Sequence, residues 1–149
     1  MTSTRADFII EQIAEPSDIK TALAIRHTVF VEEQGVPLDM EIDEHDRADA
    51  IHFLGRLKGQ PVATARLCLI DGVAKIQRVA MLAEARGGGH GAALVAHLVN
   101  YAQSKSVAPV IALDSQTHAT GFYERLGFVT TGEPFDDAGI PHIRMEMTI

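Results

Sequence analysis

Gln77-Arg78-Val79-Ala80-Met81-Leu82-Ala83-Glu84-Ala85-Arg86-Gly87-Gly88-Gly89-His90-Gly91-Ala92 reads as the end of a strand, a short loop and the first turn of a helix, with glycines packed into the junction. Glycine lets a backbone approach a ligand closely, and a helix N-terminus offers unpaired N–H groups and a positive dipole end. The combination suits a pyrophosphate. No Lys-Ser or Lys-Thr follows the glycines, so the phosphate loop of nucleotide triphosphatases is absent. The dinucleotide fingerprint is a closer rival, since Gly87-x-Gly89-x-x-Ala92 fits it and Asp114 ends the next strand. Yet five residues separate Met81 from Gly87, where that fingerprint sets its first glycine tight against the strand. A glycine-rich turn with no ligand is the plain alternative.

Working outward, His52–Leu57, Val62–Leu69 and Val73–Met81 read as three strands in a meander, with Asp71-Gly72 as a hairpin turn between the last two. A doubly wound sheet does not begin this way. After the glycines a helix is expected to about Ser106, its buried stripe formed by Leu94, Val95, Leu98, Val99 and Ala102. Val110–Leu113 reads as a buried strand, Thr120–Leu126 as a short helix, and Phe128–Gly132 with Ile143–Ile149 as a final strand pair. Upstream, Phe8–Ile13 suits a first strand, and Glu15-Pro16-Ser17 opens a helix with Ser17 as cap. Segment Glu32–Asp49 is acidic and irregular, read as a short helix and a loop. The expectation is one α/β domain over residues 1–149, built on a mixed sheet.

Composition narrows the function classes. Of 149 residues, 46% are hydrophobic and 22% charged, the balance of a globule with a real core. Only 5% are aromatic and Trp is absent, so Leu, Ile, Val and Ala must build that core. A net charge of −7 argues against sequence-independent nucleic-acid binding, which needs a basic face. Cys68 is the single cysteine, better suited to a core strand than to nucleophilic work, and provides no disulfide framework. The seven histidines have no recognised metal spacing, so no metal is expected. Residues 1–10 do not read as a signal peptide and no stretch approaches a membrane span, so the expected location is cytoplasmic.

Two motifs together resemble the GNAT superfamily of acetyl-coenzyme A-dependent N-acetyltransferases. Arg86-Gly87-Gly88-Gly89-His90-Gly91-Ala92 is similar to its Gln/Arg-x-x-Gly-x-Gly/Ala signature, and Ala119-Thr120-Gly121-Phe122-Tyr123-Glu124-Arg125-Leu126-Gly127-Phe128 to its Tyr-x-x-x-Gly-Phe element. A narrower likeness, to the YjcF/ElaA-like branch, lies in Arg26-x-x-Val29-Phe30-Val31-x-Glu33-Gln34, in Glu41-Ile42-Asp43-Glu44-x-Asp46 and in Gly139-Ile140-Pro141-His142-Ile143-x-Met145. The resemblance implies a mostly antiparallel central sheet, flanked by helices, with a parallel strand pair around the coenzyme cleft. It implies transfer of an acetyl or other short acyl group from acetyl-CoA to a primary amine of a small molecule or peptide. Neither nucleic acid nor membrane is an expected partner, and a homodimer is left open.

The resemblance also implies roles. Backbone from Gly87 to Ala92, with Arg86, would hold the pyrophosphate, the strand at Val79, Ala80 and Met81 would lie along the pantetheine, and Gln116 would line the cleft. Tyr123 would protonate the departing thiolate. Many relatives carry Glu on the strand before the signature, but Gln77 stands here, and Gln takes no proton at neutral pH. Candidate bases or acceptor-binding groups are therefore Arg26, Glu33, Asp43, Glu44, Asp46 and His52. The carboxylates of Glu32–Asp49 would draw in a cationic amine. Two alternatives remain. Arg26, Phe30, Asp43, Asp46 and Arg66 resemble the N-terminal pattern of acyl-homoserine-lactone synthases, and Gln77 leaves room for a non-catalytic coenzyme A-binding module.

Overall fold

His52-Phe53-Leu54-Gly55 is buried on both faces, Phe53 packing into one apolar cluster and its neighbour Leu54 into another. That alternation follows from the two-residue period of a strand and sets the architecture: a sheet with helices on each side. The computed structural model describes residues 3–5, 7–43, 46 and 50–149. The candidate base Glu44 lies outside the described residues.

The strands are β1 (Ser3–Arg5), β2 (Phe8–Ile13), β3 (Ile51–Leu57), β4 (Gln60–Ile70), β5 (Val73–Met81), β6 (Val110–Gln116), β7 (Val129–Asp137) and β8 (Ile140–Thr148). They form one sheet in the order β1-β2-β3-β4-β5-β6-β8-β7. All neighbours are antiparallel except β5 and β6, which run parallel. This is the mixed, mostly antiparallel sheet the sequence led us to expect.

Helix α1 (Pro16–Arg26) covers one face with Ala22 and Ile25 against Ile13, Leu54 and Ala80. It passes directly into a wider π-helical turn, His27–Glu33, and then to the single-turn α2 (Leu38–Glu41). The other face is covered by α3 (His90–Ser104), whose Leu94, Val95, Leu98 and Ala102 are fully buried. Burying a leucine side chain is worth about 1.5–3 kcal/mol, so this stripe anchors α3 and with it the glycine turn at its head. A short α4 (Thr120–Glu124) follows β6.

Three local expectations change. Glu15, not Ser17, is the N-cap of α1, because Pro16 occupies the first turn where its missing N–H costs nothing. The final hairpin extends to Asp137 and Ile140, well beyond the expected strands. Its outer strand β7 is mostly exposed, so no apolar alternation marked it in the sequence, and its backbone pairing with β8 holds it instead. β1, of three residues, is too short to show a pattern.

Candidate active site

β5 and β6 pair only at Ala74–Ile111 and Lys75–Ala112 and separate beyond those residues. The separation follows from a bulge. Between the pairs Thr64–Ala80 and Arg66–Gln77, two residues of β5 (Arg78 and Val79) oppose the single residue Ala65 of β4. Such an insertion bends and twists the strand that carries it. Arg78 adopts the left-handed conformation (φ 55°), which non-glycine residues rarely take. The wedge between the strands opens a cleft of about 310 Å³. Gln77, Arg78 and Val79 form one wall and Leu113, Asp114 and Gln116 the other. Phe30, Gln34 and Met40 close it from the π-helical side, Tyr123 from α4, and Asp137, Ile140 and His142 from the β7–β8 hairpin.

Behind the β5 wall lies a buried ion cluster. Arg26 Nη2 donates to Glu41 Oε2 at 2.7 Å and its Nη1 to Asp46 at 2.6 Å. Arg66 reaches both oxygens of Asp43 at 2.8 Å and Asp46 at 2.7 Å. Arg78 bonds to the carbonyls of Glu41 and Met40 and to Asp43. Arg26 and Arg66 are each only 1% exposed. Burial would lower the Arg26 guanidinium, but the hydrogen bonds it donates to Asp46 and Glu41 reverse this and raise it above its ordinary value. Burial and the like charges of Arg66 and Arg26 push Arg78 down. The cluster ties α2, Asp43 and Asp46 to β4 and β5, and it holds the Arg78 bulge in place.

The sequence expectation for Arg26, Asp43 and Asp46 is corrected by this geometry. Asp43 and Asp46 do not stand free to attract an amine, because arginine neutralises each, and Arg26 has almost no surface with which to touch a substrate. His52 is also buried, opposite Arg66 in the β3–β4 register, and does not line the cleft. Burial lowers its imidazole below the usual range. The charged residues shared with the acyl-homoserine-lactone synthase pattern are thus the members of this scaffold cluster.

The glycine turn meets its expectation in shape. Gly87 (φ 91°) and Gly89 (φ 79°) are left-handed, and Gly89 is the N-cap of α3 with no side-chain cap. A Cβ on Gly91 would sit 3.5 Å from the Phe122 ring, in van der Waals contact, so a larger side chain there would reach toward α4. His90 leaves Nδ1 buried, with no hydrogen-bond partner among the described residues. A helix N-terminus led by glycines, two of them left-handed, fits a pyrophosphate. Arg86 beside it donates from Nε to the Met81 carbonyl and from Nη2 to Glu33 at 2.7 Å, tying the turn to the π-helical segment. Val79 lines the cleft, whereas Ala80 is buried against α1 and offers backbone only.

Tyr123 reaches the cleft from α4, with Phe122 and Phe128 edge-on to its ring. Burial pushes its phenol up to about 12, so it is protonated at neutral pH and suited to give a proton rather than take one. Gln116 donates to Gln34 across the cleft at 2.9 Å, and His118 lies 2.7 Å from its Oε1. His142, on β8, also lines the cleft. Its place on the cleft wall depends on the hairpin register, and only the Gly139-Ile140-Pro141-His142 motif hinted at it. Among the described residues no His, Cys, Asp and Glu gather to hold a metal, and no helix is long and apolar enough to cross a membrane.

This splayed parallel pair, with a glycine turn at the head of the crossover helix, defines a class of acyl-coenzyme A transferases. The comparisons agree. The Acetyltransferase (GNAT) domain model matches residues 27–149, and the chain belongs to that family. Over 128 residues it is 35% identical to the uncharacterized N-acetyltransferase YjcF of Bacillus subtilis, covering 85% of this chain and 90% of that one. The crystal structure of an acyl-CoA N-acyltransferase from Pseudomonas aeruginosa superposes with a TM-score of 0.83 at 30% identity, covering 94% of this chain and 97% of that one. Escherichia coli ElaA superposes at 0.84 with 28% identity, over 93% and 98% of the two chains. The YjcF/ElaA-like branch is thereby supported.

Proposed function

We propose that this protein is an N-acetyltransferase that moves an acetyl or other short acyl group from coenzyme A to a primary amine of a small molecule or peptide. The observation that carries the reading is the splay of β5 from β6 around a cleft that Tyr123 lines. In this reading residues 87–92, with Arg86, hold the pyrophosphate, and the β5 edge at Val79 and Met81 pairs with the pantetheine. A backbone N–H of the bulge polarises the thioester carbonyl, and Tyr123 protonates the thiolate as it leaves. Asp114 and Asp137 put carboxylates on the cleft wall, which suits a cationic acceptor better than an anionic one.

The test is thiol release from acetyl-CoA with a panel of primary amines, small and peptidic. Acetylation of one class above the hydrolysis background supports the proposal. Tight coenzyme binding without acyl transfer to any amine would overturn it in favour of a non-catalytic binding module.

A further inference from the structure

From the geometry of the β8 wall, we infer that His142 is the general base that takes the proton from the incoming ammonium. This rests on the acyltransferase reading above. The described candidates that the sequence singled out are committed elsewhere, Glu33 to Arg86 among them, and of the two aspartates on the cleft wall Asp114 pairs with Lys75 at 3.8 Å, which leaves Asp137 as the rival carboxylate. Gln77 gives its side-chain oxygen to two hydrogen bonds from Arg66. Glu41, Asp43 and Asp46 are paired with Arg26, Arg66 and Arg78. His52 is buried off the cleft.

His142 is different. Its Nδ1 lies 2.7 Å from the carbonyl oxygen of Ile140, which can only accept, so Nδ1 carries the ring proton and Nε2 keeps its lone pair. Pro141 stands between the two residues with its φ fixed by the ring, which stiffens that bond. Phe135 stacks on the imidazole at 6.0 Å and 25°, holding the plane of the ring. On the opposite side His142 is the register partner of Gln116, the last residue of the β6 wall. The ring is therefore held by a carbonyl, an aromatic face and the strand register, on the wall of the cleft that Tyr123 also lines.

The proton accounting closes. Nε2 takes one proton from the acceptor ammonium, and the neutral amine attacks the thioester carbonyl carbon, forming a C–N bond. The C–S bond breaks, Tyr123 protonates the thiolate, and the resulting phenolate takes the second proton from the amide nitrogen. His142 then releases its proton to solvent. The products are the amide, the free thiol and one proton. The ionisable groups sharing the cleft with His142 are Asp114 of β6, Tyr123 of α4, Asp137 of the hairpin, Glu41 of α2 and Arg78 of β5. Arg144 follows it on β8, paired with Glu146, and His118 bonds to Gln116.

The experiment uses the full chain and an amine already shown to be acetylated by the wild type, so that failure here is distinct from failure of the acyltransferase reading. His142→Gln and His142→Ala are compared with wild type for kcat/KM across pH, with coenzyme affinity and melting temperature measured alongside. A fall on the order of 100-fold or more is expected, together with loss of the limb that rises with pH, unchanged coenzyme affinity, and partial rescue of His142→Ala by added imidazole. Nitrogen-15 NMR of the wild type should show the Nδ1–H tautomer for this ring. An unchanged pH profile in a folded His142→Gln variant, or an Nε2–H tautomer, would overturn the assignment.

Discussion

Arg66 holds the side-chain oxygen of Gln77 twice, from Nε at 3.1 Å and from Nη2 at 2.8 Å. The same guanidinium grips Asp43 and Asp46, so Gln77 is an edge of the ion cluster as well as part of the cleft wall. A carboxylate placed at this position would enter the same grip. Gln77→Glu is therefore expected to give no rise in kcat/KM, because the new carboxylate is neutralised where it stands. Gln77→Leu removes the acceptor of two charged hydrogen bonds and should cost about 1–3 kcal/mol in urea unfolding.

The cluster should make the fold acid-sensitive. Burial raises the Asp46 carboxyl, but hydrogen bonds from Arg26, the Asp43 amide and Arg66 outweigh it and hold the group well below the usual carboxylate range. Asp43 is lowered too, burial being outweighed by Arg66. A carboxyl lowered in the fold binds protons more readily in the unfolded chain. Its contribution is then whole above the unfolded value of about 3.9 and is lost as pH falls toward the folded value. Calorimetry should show the melting temperature dropping below about pH 5. Asp46→Asn should lose about 3–5 kcal/mol at neutral pH, by leaving two buried arginines short of a partner, and should flatten the acid slope.

Tyr123→Phe tests the acid. Burial keeps the phenol protonated, and a coenzyme thiolate leaving beside it would be desolvated by the same surroundings, which raises its own proton affinity. Turnover is expected to fall about 100- to 10,000-fold while coenzyme affinity holds. Equal kcat for wild type and variant would make Tyr123 a packing residue between Phe122 and Phe128.

Coenzyme affinity should depend on the absence of side chains at the head of α3. Gly89→Val forces a β-branched residue into the left-handed cap conformation, and Gly91→Val pushes atoms toward Phe122. Both should weaken acetyl-CoA binding in titration calorimetry. Retained affinity in both folded variants would move the pyrophosphate elsewhere.

Much of this molecule is written in local chemistry. Phe53 and Leu54 alternate because a strand has period two, Leu94, Leu98 and Ala102 recur at helical spacing, and Asp71-Gly72 marks its own turn. The glycine turn and the Tyr123 element carry the family in consecutive residues, so the sequence alone reached the family and its fold. The acid loop misled because sequence displays charge without partners. Asp43 and Asp46 read as a free anionic stretch, and only the approach of Arg66 from β4 and Arg26 from α1 turns them into a charge-paired cluster. His142 went unassigned for the converse reason. A histidine's work depends on which nitrogen is bare and what faces it, and here the Ile140 carbonyl, the Phe135 ring and the β6–β8 register set both. Periodicity and short motifs are properties of neighbours along the chain, whereas proton positions and charge neutrality belong to groups that folding brings together.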